Sequence, residues 1–277
     1  MANEKMTLPA LLETASIQKR FDETLKGEAA SFKQTLISLY NNTKLGECDV
    51  KSILSAAMYA AGLRLPITPA LGLANIVPYK GQAQFIIGYR GLIQLALRTN
   101  KYRTINVSAV HEGELRGQNI ITGEFVAGEK ISDNVVGYIA YIELLNGFKK
   151  AIYMSTKEIR EHAKKYSQSY AYDLKTGRQS SVWTTSFDTM AKKTVLKKLL
   201  NTYAPISVGH EDITIALQAD QSVIGEKTFT YPDNDGGSVE HEEFFTIDQP
   251  PAEEPATEIV NNETGEVVSD QQTLFAS

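Results

Sequence analysis

Over the first sixty residues, apolar side chains recur every three or four positions, the period of helices that bury one side. In TLPALLETASIQKRFDETL, Leu8, Leu11, Leu12, Ala15, Phe21 and Leu25 share a side, and SFKQTLISLYNN continues in the same style. DVKSILSAAMYAAGLRL opens on Asp49, whose carboxylate can accept from free N–H groups of a first turn, and stops at Gly62. Its Ala56, Ala57, Ala60 and Ala61 would let another element pack very close.

The texture then changes. NIVPYKGQAQFIIGY predicts two short strands about a turn at Gly81, RGLIQLALRTN a short amphipathic helix, and RTINVSAV a strand. VVGYIAYIELLNGFKKAIYM predicts a hairpin, with Asn146-Gly147 expected in a type I′ turn whose two central residues both need φ > 0. STKEIREHAKKY begins with a capping box, Ser155 and Glu158. The segment HAKKYSQSYAYDLKTGRQSSVW reads as a long polar loop, and a last helix is expected from near Ser186 or Asp188 through Leu200. The expected class is α+β, a compact mixed core of short antiparallel strands and helices.

Composition divides the chain near residue 210. Residues 211–277 hold 16 acids and one base, Lys227, which leaves 27 Lys and Arg against 17 acids in residues 1–210. The net charge of −5 therefore averages a basic body with a strongly acidic tail. Such segregation points to nucleic-acid contact by the body, or to a basic domain with a solubilising tail. The tail is rich in Pro, Gly, Asp and Glu without helical or strand period, so it is expected to be disordered. The boundaries read from this are an N-terminal helical segment, 1–45, a core, 46–210, and the acidic tail, 211–277. The N-terminal helices, apolar on one side, are expected to supply a subunit contact.

With 42% hydrophobic residues the chain can bury a real core. Its single Cys48 excludes a disulfide framework and a thiolate cluster for zinc, which suits an intracellular setting. The polar N-terminus does not read as a signal peptide, and no apolar run approaches a membrane span.

Three stretches carry the basic residues. AKKTVLKKLL places Lys192, Lys193, Lys197 and Lys198 without a neighbouring acid. On a helix, Ala191, Val195, Leu196, Leu199 and Leu200 form the packed side, Lys193 and Lys197 share the other, and Lys192 falls toward the apolar one. Like charges four apart repel by a few tenths of a kcal/mol, so water or a polyanion is expected to compensate them. FIIGYRGLIQLALRTNKYR carries Arg90, Arg98, Lys101 and Arg103, with Tyr89 and Tyr102 beside them and Gly88 and Gly91 flanking Arg90. Those glycines either make a tight turn or let a phosphate approach the N–H groups at the helix start. The polar loop adds Lys164, Lys165, Lys175 and Arg178, interleaved with Tyr166, Tyr170, Tyr172 and Trp183. Charge for the backbone and rings for the bases is the pattern that single-stranded nucleic acid uses. Lys80, in the first hairpin, completes the candidate set.

No GK dipeptide occurs, so there is no Walker A loop, and the four histidines lack metal-ligand spacing. Asp173-Leu174-Lys175 resembles the end of a nuclease motif, but no upstream acid is placed to join it. The residues read as a binder rather than an enzyme with a covalent step, and no cofactor or metal is expected.

QFIIGYRGLIQLALRTNKY, with SAAMYAAGLRLPITPALGLANIVPYK before it, resembles the signature region of the RecT family of phage single-strand annealing proteins. VWTTSFDTMAKKTVLKKLL is similar to the family's second block. The resemblance covers residues 30 to 205. It implies ATP-independent binding and annealing of complementary DNA strands, a core related to that of the Redβ-type proteins, and a deep basic groove. It further implies large rings or helical filaments, a 5′→3′ exonuclease partner and possible contact with the host single-strand-binding protein, in the bacterial cytoplasm. Any magnesium effect would act through the DNA. A nonspecific duplex-binding architectural protein is the alternative.

Overall fold

The structure, a computed structural model, describes residues 7–206, 211–225, 228–232 and 237–240. Four helices open it: α1 (Leu8–Leu12), α2 (Ala15–Leu25), α3 (Ala29–Asn42) and α4 (Val50–Gly62). The hairpin β1 (Ala74–Tyr79) and β2 (Gln82–Ile87) leads to α5 (Tyr89–Arg98) and β3 (Tyr102–His111). Then come β4 (Leu115–Gln118), β5 (Phe125–Ala127), β6 (Val135–Leu144) and β7 (Lys149–Ser155). Helices α6 (Thr156–Tyr166), α7 (Gln168–Thr176), α8 (Val182–Thr185) and α9 (Phe187–Tyr203) follow, and α10 (Asp212–Ala219), β8 (Ser222–Ile224), β9 (Thr228–Tyr231) and β10 (Gly237–Glu240) close the described part.

The strands form antiparallel sheets in the orders β3-β6-β7 and β1-β2-β8-β9-β10, with β4 and β5 as a separate pair. Alternation along β6 turns Tyr138, Ala140, Ile142 and Leu144 into the core, where α9 lies across the sheet. Ile139, Tyr141 and Glu143 face the other way and are half-buried. Helix α4 covers the five-stranded sheet. Its Tyr59 ring lies 5.6 Å from Phe85 and 5.5 Å from Phe229, and Ser52 Oγ accepts from Ala83 N at 2.8 Å. The alanines at 56, 57, 60 and 61 are fully buried, and α4 packs directly against β2.

Local chemistry set many of these boundaries. Asp49 accepts from Ser52 N at 2.9 Å at the start of α4, and the Ser155–Glu158 capping box opens α6. Three expectations are corrected. The β6–β7 turn is not type I′, because Gly147 has φ +88° whereas Asn146 is not left-handed. Gly147 N donates to Leu144 O at 3.0 Å, so a turn centred on Leu145 and Asn146 is followed by one left-handed glycine, which suits a three-residue loop with a bulge. The 162–183 segment is not a loop but is largely α7 and α8, tied together by Asp173. That carboxylate accepts from Ser180 N and Oγ, Ser181 N and Thr184 Oγ1 at 2.6 to 2.9 Å. Burial pushes its pKa up, and these donors more than reverse this, holding it well below the usual carboxylate range.

The acidic stretch after residue 210 is not structureless throughout. Helix α10 and strands β8 to β10 belong to the fold, with Phe229 buried on Tyr59. Their apolar runs are too short to show a period, and β2 supplies the edge on which they pair. The expected disorder of 241–277 lies outside the described residues. The apolar side of the N-terminal helices packs within the chain: Leu8, Leu12, Ile17 and Phe21 are buried, and Phe21 packs on Phe32 with centroids 5.8 Å apart.

The glycines beside Arg90 serve the chain itself. Gly88 N donates to Leu73 O at 2.8 Å, and a Cβ at Gly88 would meet Gly72 O at 2.0 Å. At Gly91 it would meet Leu73 O at 2.2 Å, so the segment before β1 fills the space that the phosphate reading needed, and of the two readings the tight turn holds. Helix propensity favours alanine over glycine by about 1 kcal/mol, but backbone cannot yield as a side chain can. Gly91→Ala is therefore expected to destabilise by about 1–3 kcal/mol, read as a lower urea midpoint.

Candidate nucleic-acid interface

Helix α9 presents its lysines to three different surroundings. Lys193 is buried at 5% exposure, and its ammonium donates to Asp220 Oδ1 at 2.7 Å. Lys197 donates to the other oxygen, Oδ2, also at 2.7 Å, and its side chain is one-third exposed. Asp220 itself is buried, and its Oδ1 also accepts from Ile87 N at 3.2 Å. Burial alone would push Asp220 up, yet the two ammonium groups hold it below the usual carboxylate range. The expected outward side shared by Lys193 and Lys197 is thus corrected: both pair with one internal carboxylate, and Lys193 is buried against it. Lys192 is corrected too, since it lies beside Asp188 at 2.8 Å rather than on the apolar side. Lys198 is exposed and makes no ion pair among the described residues.

A cleft of about 450 Å³ opens where α6, α9 and the α10–β8 junction meet. Lys193, Lys197, Lys198, His162, Tyr166 and Asn201 line it, with Asp220 at its base. Three lysines face one carboxylate, so two positive charges are left over. Burial, then Lys197, Lys198 and Lys165, lower the pKa of His162 below its ordinary 6.5, so the ring is neutral at pH 7. The His162 ring stacks 4.6 Å from Tyr166, and Lys165 Nζ sits 5.0 Å from the Tyr166 centroid. Lys164 is exposed on α6. Lys80 Nζ and Tyr79 Oη donate to Gln168 Oε1 at 3.1 and 3.0 Å. Gln168 in turn donates to Pro232 O at 3.3 Å, next to the cleft-lining Tyr231.

The second basic stretch does not line this cleft. Arg98 donates to Leu63 O at 2.6 Å and Arg64 O at 2.8 Å, closing the end of α4. Arg103 pairs with Glu143 at 3.3 Å, Lys101 is half-buried after α5, and Tyr89 packs against the core. Arg90 is exposed and has no ion pair among the described residues. Of the third stretch, Lys175 is exposed, and Arg178 lies 5.6 Å over the Tyr172 ring. Trp183 is buried between Tyr170 and Phe187, at 6.0 Å from each, and its edge forms part of the cleft wall.

The sequence reading missed Asp220, His162, Tyr231 and Asn201 as parts of one place. Asp220 had no usable signal, being one of 16 acids in its segment and 27 positions from Lys193. Among the described residues no group of three or more His, Cys, Asp or Glu could hold a metal ion, and no helix is long and apolar enough to cross a membrane.

Comparison with known proteins bears on this cleft. The model of the RecT family matches residues 30–250, which includes α6, α9 and the Asp220 segment. The uncharacterized protein YqaK of Bacillus subtilis (strain 168) is 44% identical over 205 residues, 73% of this chain and 69% of that protein. Protein RecT of Escherichia coli (strain K12) is 29% identical over 175 residues, 59% of this chain and 61% of that protein.

Proposed function

The chain belongs to the RecT family, whose members anneal single-stranded DNA in recombination, and on that premise we propose that it holds single strands by their phosphates in the α6–α9 cleft and pairs them without ATP. The observation that supports this most directly is the pair of uncompensated positive charges in an open cleft whose lysine helix is anchored by a buried carboxylate. Lysine contacts to phosphate carry no sequence information, which suits a protein acting on any strand. Held by the backbone, a strand keeps its base edges free. Two strands beside one cationic cleft repel each other less, and base pairing supplies the free energy, so no nucleotide is consumed.

Lys197, Lys198 and Lys165 are the proposed phosphate ligands, with Lys80, Lys164, Lys175, Arg178 and Arg90 as further exposed cations along the strand. Lys193 positions Lys197 through the shared Asp220. Tyr166 is the aromatic placed to meet a base. Self-association accompanies membership of the family, and we place the working form as a large ring or helical filament. A 5′→3′ exonuclease would supply its strands, and the host single-strand-binding protein would compete for them. No cofactor enters this scheme, and magnesium would act on the DNA.

The test is to mix complementary oligonucleotides, one fluorescent and one quenching, without nucleotide. Accelerated pairing is expected. Tight binding to preformed duplex with no acceleration would favour an architectural duplex-binding protein instead, and degradation of the strands would favour a nuclease.

A further inference from the structure

Ile120 and Ile121, at 95% and 91% exposure, are the most exposed large apolar side chains among the described residues. They sit together at the tip of the β4–β5 hairpin, and the tip is built to hold them there. Asn119 Oδ1 accepts from Ile121 N at 2.9 Å and Thr122 N at 3.2 Å. Gly123 N donates to Asn119 O and Asn119 N to Glu124 O, both at 2.8 Å, while Gln118 Nε2 reaches Gly123 O at 3.1 Å. The turn satisfies its own polar groups, so its shape does not depend on the isoleucines. Scattered exposed apolar residues are ordinary, but an adjacent pair held out on a closed turn is a contact element.

The hairpin faces away from the cleft. Phe125 of β5 packs on Tyr153, 6.3 Å between centroids, and Tyr153 pairs with Ile139. The opposite face of β6, with Tyr138 and Ala140, is the one buried toward α9. A strand in the cleft therefore lies on the far side of the sheet from the tip.

A receptor of matching character lies elsewhere on the chain. A cavity of about 270 Å³ between α2, α3 and the 64–68 segment has Leu25, Phe32, Pro66 and Ile67 in its lining, with Lys26 and Arg64 against one acid, Glu28. Both cations have left-handed backbone, φ +53° and +51°, a costly conformation for a side-chain-bearing residue. Neither has an ion pair among the described residues. The tip carries the opposite charge, Glu124, exposed immediately after the turn.

We propose that the Ile120–Ile121 tip of one copy seats in this cavity of the next, with Glu124 against Lys26 and Arg64. The occupant is a second copy because the apolar lining suits the isoleucines and its charge, positive on balance with Lys26 and Arg64 against Glu28, suits Glu124 of the same chain, and because the family self-associates. The inference rests on that self-association. Donor and acceptor are different surfaces, so each copy gives one tip and receives another, and the contact propagates into a ring or an open helix.

Sedimentation of Ile120→Asp, Ile121→Asp protein with and without an oligonucleotide tests this. The side chains touch water only, so the Tm is expected to stay that of wild type, while the assembly falls to single chains. In a second variant, Ile121→Cys with Thr35→Cys, a bis-maleimide is expected to give a ladder of multimers; Cys48 is buried and stays silent. An unchanged assembly size, cross-links confined to single chains, or loss of strand binding at unchanged size would each overturn the contact. A wild type that sediments as single chains would remove the self-association premise as well, and the annealing assay above would still report on the DNA reading separately.

Discussion

Asp220→Ala is expected to destabilise the protein by about 3–5 kcal/mol, enough to unfold a marginal domain, because it strands a buried ammonium without a partner. Lys193 is buried at 5% exposure, and Asp220 is its hydrogen-bonding anion. The same carboxylate accepts from Lys197 and Ile87 N, so its loss also frees the end of β2. Lys193→Met is expected to cost much less, since Asp220 keeps Lys197 and the thioether fills a buried stem. The double variant Asp220→Ala, Lys193→Met should recover most of the loss, because the orphan charge is gone. Urea unfolding of the four proteins gives the coupling. The pH sign follows from the depressed pKa of Asp220: its stabilisation is present above the ordinary Asp value of about 3.9 and is lost as pH falls toward the folded value.

The second large effect is on DNA. Lys165→Gln with Lys198→Gln is expected to slow annealing about tenfold at moderate salt with an unchanged urea midpoint. Lys198 is exposed without an ion pair among the described residues, and Lys165 is exposed over the Tyr166 ring; beyond that they act on His162 and, for Lys198, on Glu158 only through their charge. Removing them therefore takes away charge that binds and no buried contact. Lys193 is the contrast on the same helix, where substitution changes stability first.

These two results separate roles that the sequence could not. The helix bearing the lysines, its start near Ser186 and its apolar side were legible from spacing alone, as were α4 with its Asp49 cap and the capping box of α6. What a lysine at position 193 meets was not legible, because the answer lies in Asp220, folded back from a segment whose composition is that of an acidic tail. Local period also failed wherever tertiary pairing replaced it: β8 and β9 are three and four residues long and exist because β2 and Tyr59 receive them. Arg98 and Arg103 had the right chemistry for phosphate, but the backbone carbonyls of Leu63 and Arg64, just after α4, and the Glu143 carboxylate engage them. Trp183, read as a stacking ring, packs on Tyr170 and Phe187 and borders the cleft.

The central claim is that the α6–α9 cleft holds a strand through its phosphates. Its most direct test is the slope of log affinity against log salt for a single-stranded oligonucleotide, in wild type and in Lys165→Gln, Lys198→Gln protein. A single strand gives about 0.7 in slope per neutralised phosphate, so the variant is expected to be shallower by about 1.4. An unchanged slope in a folded variant would place the strand elsewhere on the molecule and contradict the account.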